Sequence, residues 1–355
     1  MSASLNWVAP MAEFSWAERI DELRQQHLPQ IMDVLDSTVL SGSPDGSSLV
    51  EMTRYHLETG GKRLRAVLPL AVADALGSDP KNVVAFGAAC EILHNATLVH
   101  DDLQDGDRIR RGAETIWVKY GEARAINLGD AMLYYTLMLV RKVPGSADLR
   151  ESLSDRVLKE TVRVIDGQER EFLLQQDDVP TWADYVKMVE GKTSGLFALP
   201  LAGAAEIAGA SSQLVDGMTR AAGHLGVIFQ IQDDVLDIFG QKGRERPGSD
   251  IAEGKISALV IHTLENASPE DSAWLRDLLR RERELVTDAD IQRATQLFLT
   301  TGALDFTLAE IDRRAALALS EPALDEAPQL KALVSAIVDL FLAPIAELKH
   351  SRENG

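Results

Sequence analysis

Thiols are almost absent from this chain: among 355 residues there is one cysteine, Cys90, set in an apolar stretch. A lone cysteine builds neither a disulfide framework nor a thiolate metal site, and Cys90 reads as a small core residue. The opening segment "MSASLNWVAPMAEF" has no basic region followed by an apolar core, so no secretory signal is read and a cytoplasmic protein is expected. Long apolar runs are missing too. The two best candidates are interrupted, one by Pro200 and Glu206, the other by Asp339 and Pro344, and both read as buried helices rather than membrane spans. Positive charge is scarce, with 36 Lys and Arg against 55 Asp and Glu, a net charge of −19. That balance excludes a nucleic-acid backbone as partner and disfavours an anionic membrane surface. An anionic substrate can be held only by local bases or bound cations. Alternating β-branched stretches bounded by turn signals do not occur, nor does a repeat of 20 to 50 residues.

Helical periodicity fills the space those absences leave. Leu23, His27, Ile31, Val34 and Leu35 share one helix face, and a second face runs from Val83 through Val84, Gly87, Ala88 and Glu91 to Leu98. "GDAMLYYTLMLVRKV" and "AAGHLGVIFQIQDDVLDIFG" are strongly apolar and free of proline. Turn-forming clusters at 41–48, 77–80, 143–148, 177–180 and 240–250 are short and separate no two compositions. The reading is all-α: an N-terminal extension over residues 1–20, then one large helical bundle over 21–350.

Two acid clusters end two of the apolar runs. In "LVHDDLQDGDRIRRG", Asp101 and Asp105 are four apart and project from one helix face, with Asp102 about 100° round. A lone cluster of this kind is commonly a solvated helix end. A second one, Asp233, Asp234 and Asp237 in "FQIQDDVLDIFG", repeats the spacing amid Ile228, Phe229, Ile231, Val235, Leu236, Ile238 and Phe239. Carboxylates in such surroundings need cations. Two such helices facing each other would form an oxygen-rich cage suited to hard divalent ions, Mg²⁺ above all. Bases recur at matching points: Lys62, Arg63 and Arg65 after a glycine pair, Arg110 and Arg111 after the first acid cluster, Lys192 beside Thr193, and Lys255. In so acidic a chain they read as phosphate clamps.

At this point the sequence resembles the trans-isoprenyl diphosphate synthases, or polyprenyl synthetase family. The resemblance spans roughly residues 50–345 and rests on "GGKRLR" (60–65), "EILHNATLVHDDLQD" (91–105), "RRG" (110–112), "GDAML" (129–133), "GKT" (191–193), "FQIQDDVLD" (229–237) and "GSDIAEGK" (248–255), in that order. It implies an all-α bundle around a deep central cavity, the isoprenoid synthase fold. It also implies a prenyltransferase joining isopentenyl diphosphate head to tail to an allylic diphosphate, with several Mg²⁺ ions per site, for which Mn²⁺ can substitute. Asp101, Asp102 and Asp105 match the metal ligands on the allylic diphosphate, with Asp233 and Asp237 opposite and Asp234 in the same catalytic motif. Lys62, Arg65, His94 and Arg111 match the isopentenyl diphosphate pocket. Arg110, Lys192, Thr193, Gln230 and Lys255 match the allylic side, Lys192 also counting among the catalytic residues. A homodimer is implied as well. The chain departs from the family at Trp117, where histidine is frequent, and in "GRERPGSD", where Glu245 and Arg246 stand in place of a lysine.

Product length is set, in such a family, by the helix leading into Asp101. Ala96 and Thr97, five and four residues before Asp101, are small where aromatic residues stop growth early. Ile92 and Leu93, one turn further, narrow the tube. On the neighbouring helix Tyr134, Tyr135 and Met138 are candidate stoppers. Products beyond fifteen carbons are expected, geranylgeranyl diphosphate first, with longer polyprenyl or farnesyl products as alternatives. A class I terpene cyclase is the rival enzyme, but "GGKRLR" supplies a second diphosphate site that a cyclase does not need. A non-catalytic partner subunit would be expected to lack one acid cluster, and both are intact.

Overall fold

A computed structural model describes residues 15–240 and 247–353. Most of the expected extension and the loop positions Glu245 and Arg246 lie outside the described residues. The first helix, α1 (Trp16–Gly42), opens inside the stretch read as an extension. Ser15 is extended there, its hydroxyl accepts from the Glu18 N–H at 3.4 Å, and Trp16 and Ile20 are already buried. Then come α2 (Ser48–Glu58), α3 (Leu64–Ala75), α4 (Val84–Gln104), α5 (Ile116–Tyr120), α6 (Glu122–Val140) and α7 (Ala147–Gln176). The chain continues through α8 (Trp182–Lys192), α9 (Gly195–Ile207), α10 (Ser212–Phe239), α11 (Ser249–Ala252) and α12 (Ala258–Asn266). It closes with α13 (Pro269–Leu279), α14 (Asp288–Thr300), α15 (Ala303–Leu319), α16 (Pro328–Leu342) and α17 (Ala346–Glu353). The turn clusters at 41–48, 77–80, 143–148 and 177–180 fall at connections, that at 240–250 lies largely outside the described residues, and Ser146, Ser211, Ser257 and Thr287 cap α7, α10, α12 and α14. The only β-structure among the described residues is a two-residue antiparallel pair, Ile109–Arg110 with Ala113–Glu114.

The bundle is built around α4 and α10, the two helices that end in acid. α4 packs against α3 and α6, and α10 against α9 and α15. Small residues set the spacing: a Cβ on Gly87 of α4 would lie 2.6 Å from the Ala66 carbonyl oxygen of α3, so these backbones touch. Pro200 and Glu206 interrupt the apolar run without ending the helix: α9 continues through both as the buried helix expected there, Pro200 buried among its neighbours. Tertiary packing there outweighs one missing donor. The segment Pro80–Gln104 is long and apolar enough for a membrane span, but 78% of its apolar 18-residue stretch is buried inside the bundle. The other such segment, Pro328–His350, contains the second run read as a buried helix; 39% of its apolar 18-residue stretch is buried, with Leu330, Leu333, Ile337 and Phe341 inward and Leu340 outward.

Candidate active site

The last turn of α4 carries Asp101 and Asp102, and Asp105 is its C-cap, its N–H donating to the Asp101 carbonyl at 2.8 Å. A helix C-terminus is the wrong end for carboxylates, because its own dipole is negative there. Cations therefore gather. The Arg110 guanidinium donates to Asp102, and Lys255 donates to Asp105 at 2.9 Å. Asp102 is nevertheless 1% exposed, and its second oxygen has no hydrogen-bond partner. Burial pushes its carboxyl up to about 7, against the pull of Arg110. Burial also raises Asp101, with Lys192 acting in the opposite direction.

On α10 the three aspartates part company. Asp234 accepts from Tyr185 Oη at 2.8 Å, from the Ala258 N–H at 2.8 Å and from Gln230 Nε2 at 3.0 Å. Burial, then the charge of Asp250, carry it up to about 7. Asp237 accepts from Ser249 Oγ at 2.6 Å and from the Asp250 N–H at 3.1 Å. Asp234 and Asp237 thus tie the 249–258 segment to α10, while Asp233 is the half-buried member. Spacing alone makes Asp237 equivalent to Asp233; in the structure both oxygens of Asp237 accept from Ser249 and Asp250 at the start of α11. Among the described residues no three His, Cys, Asp or Glu side chains lie close enough to share one ion. The bases hold the carboxylates apart. The orphaned, buried oxygen of Asp102 and the raised Asp101 and Asp102 carboxyls are what a site wanting a further cation looks like, so the donor set fits a hard divalent ion.

Between the acid ends lies the Lys192 corner. Thr193 Oγ1 donates to Gln230 Oε1 at 2.9 Å, and Lys192 donates to Glu171 of α7. Burial works against the Lys192 charge, but Asp101 and Glu171 outweigh it and hold the ammonium above its ordinary value. Lys255 is raised further, Asp105, Asp250 and Glu253 overcoming the same penalty. The α7–α8 crossing that creates this corner needs two glycines. A Cβ on Gly167 would sit 2.0 Å from the Lys192 backbone nitrogen, and one on Gly191 would sit 2.8 Å from Gly167 Cα. Sequence reasoning missed Glu171 and its neighbour Gln168, whose amide is buried with neither end hydrogen-bonded. The signal available was "DGQERE", with its helix-interior glycine.

The "GGKRLR" bases cluster at the start of α3. Gly60 and Gly61 take φ of 91° and 120°, and Arg63 takes φ 51°, so the chain doubles back before α3. Arg63 points inward and pairs with Glu91 at 2.9 Å, which corrects its reading as a substrate-facing base. Arg65 lies 3.1 Å from His94 Nε2, with its guanidinium 4.8 Å from the Phe197 ring centre and 5.8 Å from that of Phe229. Burial lowers Arg65 to about 10. Arg111, at φ 53° in the hairpin turn, donates to the Gly60 carbonyl and covers Gly61, where a Cβ would lie 2.7 Å from its guanidinium. Lys62 is exposed at the rim. His94 is held well below its ordinary value by burial and by Arg65, Arg111 and Arg110. His56, not singled out from the sequence, is held down to about 3 by burial and by Arg110, Arg111 and Arg63. Both imidazoles stay neutral amid a positive field.

A cavity of about 260 Å³ descends from Asp101 between α4, α6, α7 and α9. Leu93, Thr97, Leu133, Val164, Gln168 and Leu196 are among its lining residues. Thr97 is where the sequence placed it. Ala96 is fully buried but does not line the cavity. Tyr134 and Tyr135 do not line it either: Tyr134 is 70% exposed, and Tyr135 Oη lies 2.6 Å from Oγ of Ser43, just past α1. Each step along a helix turns about 100°, so with Leu133 facing the cavity the next two residues face away.

Residues 47–297 match the sequence profile of the polyprenyl synthetase family. The geranylgeranyl diphosphate synthase of Methanosarcina mazei is 35% identical over 61% of this chain and 68% of its own length. That of Saccharolobus solfataricus is 35% identical over 70% of this chain and 76% of its own. The crystal structure of a polyprenyl synthase from Caulobacter crescentus, complexed with calcium and isoprenyl diphosphate, superposes with a TM-score of 0.81 over 94% of this chain and 99% of that one, at 25% identity.

Proposed function

The chain belongs to the polyprenyl synthetase family, and from that premise we propose that it makes geranylgeranyl diphosphate by repeated addition of isopentenyl diphosphate to an allylic primer. It is a prenyltransferase acting on isoprenyl diphosphates, in a family that depends on divalent metal. The observation that carries the product assignment is the cavity running from Asp101 past Thr97 to Leu93. That is eight residues of α4, about 12 Å. It suits a primer tail of two to three isoprene units and hence a product near C20.

We assign Asp101, Asp102, Asp105 and Asp233 to holding Mg²⁺ on the allylic diphosphate, and Asp234 and Asp237 to positioning the loop that carries Lys255. When bound, the ions supply positive charge to the departing diphosphate. Arg110, Lys192 and Lys255 stabilise the same developing charge from fixed positions, which lowers the barrier to breaking the allylic C–O bond. Thr193 and Gln230 fix the α8–α10 side of that corner. The apolar walls at Leu93, Val164 and Leu196 exclude the water that would trap the allylic cation. Arg65, Arg111, His94 and Lys62 hold isopentenyl diphosphate with its double bond toward that cation, so a C–C bond forms as the π pair attacks. The adduct then loses a proton to the released pyrophosphate, restoring an allylic diphosphate one unit longer.

Asp101→Asn and Asp233→Asn should each lower kcat by about a hundredfold or more while the melting temperature holds, as removal of a transition-state electrostatic contact does. Unchanged turnover in both would sink the assignment. We further propose a homodimer. It is supported by apolar side chains exposed on adjacent helices, Ile126 and Tyr134 on α6 with Leu158, Val162, Ile165 and Leu173 on α7. Sedimentation of the protein and of Val162→Asp tests it: a dimer weakened by the charge supports it, a monomer in both cases does not.

A further inference from the structure

Arg283 belongs to none of the motifs. It stands in a short 3₁₀ turn, Arg283–Leu285, just after α13, and its side chain is 43% exposed. Its guanidinium lies 3.3 Å from Asp107 Oδ1 and 3.1 Å from Glu253 Oε1. Each of those two acids also contacts a cation that pairs with the first acid motif. Asp107 follows the first acid motif and is also 3.8 Å from Arg110. Glu253 follows α11 and also touches Lys255 at 2.7 Å. A continuous alternation of charge results: Asp102, Arg110, Asp107, Arg283, Glu253, Lys255, Asp105. It starts and ends in the first acid motif and passes through two of the cations assigned to the leaving diphosphate.

Glu253 is the costly member. Its side chain is 4% exposed, burial raises its carboxyl, and neither oxygen accepts an aligned hydrogen bond. Cation contacts are what compensate it. The segment cannot easily withdraw, because Gly254, at φ 70°, is pressed on the end of α13, where a Cβ would lie 2.4 Å from the Leu279 carbonyl oxygen. Glu253 is therefore fixed beside Lys255 and competes with the substrate for it. Asp107 competes for Arg110 in the same way.

We propose that Arg283 is a positioning residue that neutralises Glu253 and Asp107, leaving Lys255 and Arg110 free for the allylic diphosphate. The inference rests on the assignment of those two cations to that substrate. Without Arg283, Lys255 is drawn to Glu253 and Arg110 to Asp107. The partial exposure of Arg283 limits the effect to about three- to fivefold, the size of one or two solvent-screened ion pairs.

The test is steady-state kinetics with each substrate varied in turn. Arg283→Ala and Arg283→Gln should raise KM for the allylic primer about three- to fivefold and leave KM for isopentenyl diphosphate unchanged, and Arg283→Lys should retain most of the function. The decisive variants add Glu253→Gln, alone or with Asp107→Asn, to Arg283→Ala. Removing the competing acids should restore the primer KM, which a residue that merely braces the loop would not allow. Wild-type kinetics in Arg283→Ala, or a defect that the acid substitutions do not relieve, overturns the proposal. Lys255→Ala and Arg110→Ala run alongside. If neither raises the primer KM, the underlying assignment fails and carries this inference with it; if they do and Arg283→Ala does not, only the inference fails.

Discussion

Replacing Thr97 by phenylalanine should convert the protein into a short-chain synthase. Thr97 lines the cavity one turn below Asp101, and Leu93 lines it two turns below. At 1.5 Å per residue these levels are about 6 Å and 12 Å from the first aspartate. An isoprene unit extends over about one helical turn, 5.4 Å, so a ring at position 97 leaves room for one unit of tail where the wild type accepts two or three. The new ring enters a cavity of about 260 Å³ rather than a filled core, so the overpacking cost stays at or below about 1–3 kcal/mol. A C15 primer, in contrast, would have to displace the ring. A clash of about 3 kcal/mol lowers its kcat/KM by roughly a hundredfold, while a C5 primer is hardly affected. The assay is extension of C5, C10 and C15 primers with labelled isopentenyl diphosphate, with chain length read by chromatography after dephosphorylation. Products of C10 to C15 from Thr97→Phe are expected, and longer ones from Leu93→Ala, which opens the deep end. Tyr134→Ala and Tyr135→Ala should leave the distribution unchanged. Thr97→Phe extending the C15 primer at the wild-type rate would refute the reasoning.

Three further outcomes are expected. Gly167→Ala places a methyl 2.0 Å from the Lys192 backbone nitrogen, so α7 and α8 must separate; the melting temperature should fall, and kcat with it as Lys192 and Glu171 shift, whereas retention of both would contradict the crossing described. Arg65→Ala should raise KM for isopentenyl diphosphate roughly 10- to 100-fold, the value of about 1.5–3 kcal/mol for a charge-assisted contact, with the primer KM unchanged. His56 titrates near 3 when folded and near 6.5 when unfolded, so its contribution is complete above pH 6.5 and is lost as the pH falls toward 3, by about 1.4 kcal/mol per pH unit. Urea denaturation at pH 7 and 5.5 should show this loss in the wild type and a smaller one in His56→Gln; equal losses would count against a buried, neutral His56.

The sequence was most legible where a residue's chemistry conflicts with its surroundings. Acid at the end of an apolar helix pointed to cations before any coordinate did, and Arg110 and Lys255 do gather on Asp102 and Asp105. Lys192, Thr193 and Gln230 likewise come together as expected. Legibility failed where identical spacing serves different ends. Asp233 and Asp237 look equivalent in the chain, but Ser249 and the Asp250 N–H at the start of α11 engage both oxygens of Asp237. Arg63 sits between two bases of the pocket, and a left-handed backbone swings it inward to Glu91. Helix phase decided Tyr134 and Tyr135, since composition reveals that a helix is apolar but not which face meets a cavity. Arg283 gave no local signal, and Gln168 and Glu171 only the helix-interior glycine beside them, because their partners are 21 or more residues away in sequence or are the cavity itself.

The central claim is that two acid-ended helices and the bases between them join isopentenyl diphosphate to an allylic primer along α4. The most direct measurement is product analysis of the purified protein with Mg²⁺, labelled isopentenyl diphosphate and a C15 primer, run with and without a chelator. A linear C20 prenyl alcohol after dephosphorylation, abolished by the chelator and restored by Mg²⁺, is the predicted result. A cyclic hydrocarbon formed without uptake of isopentenyl diphosphate, or no turnover with any primer, would contradict it.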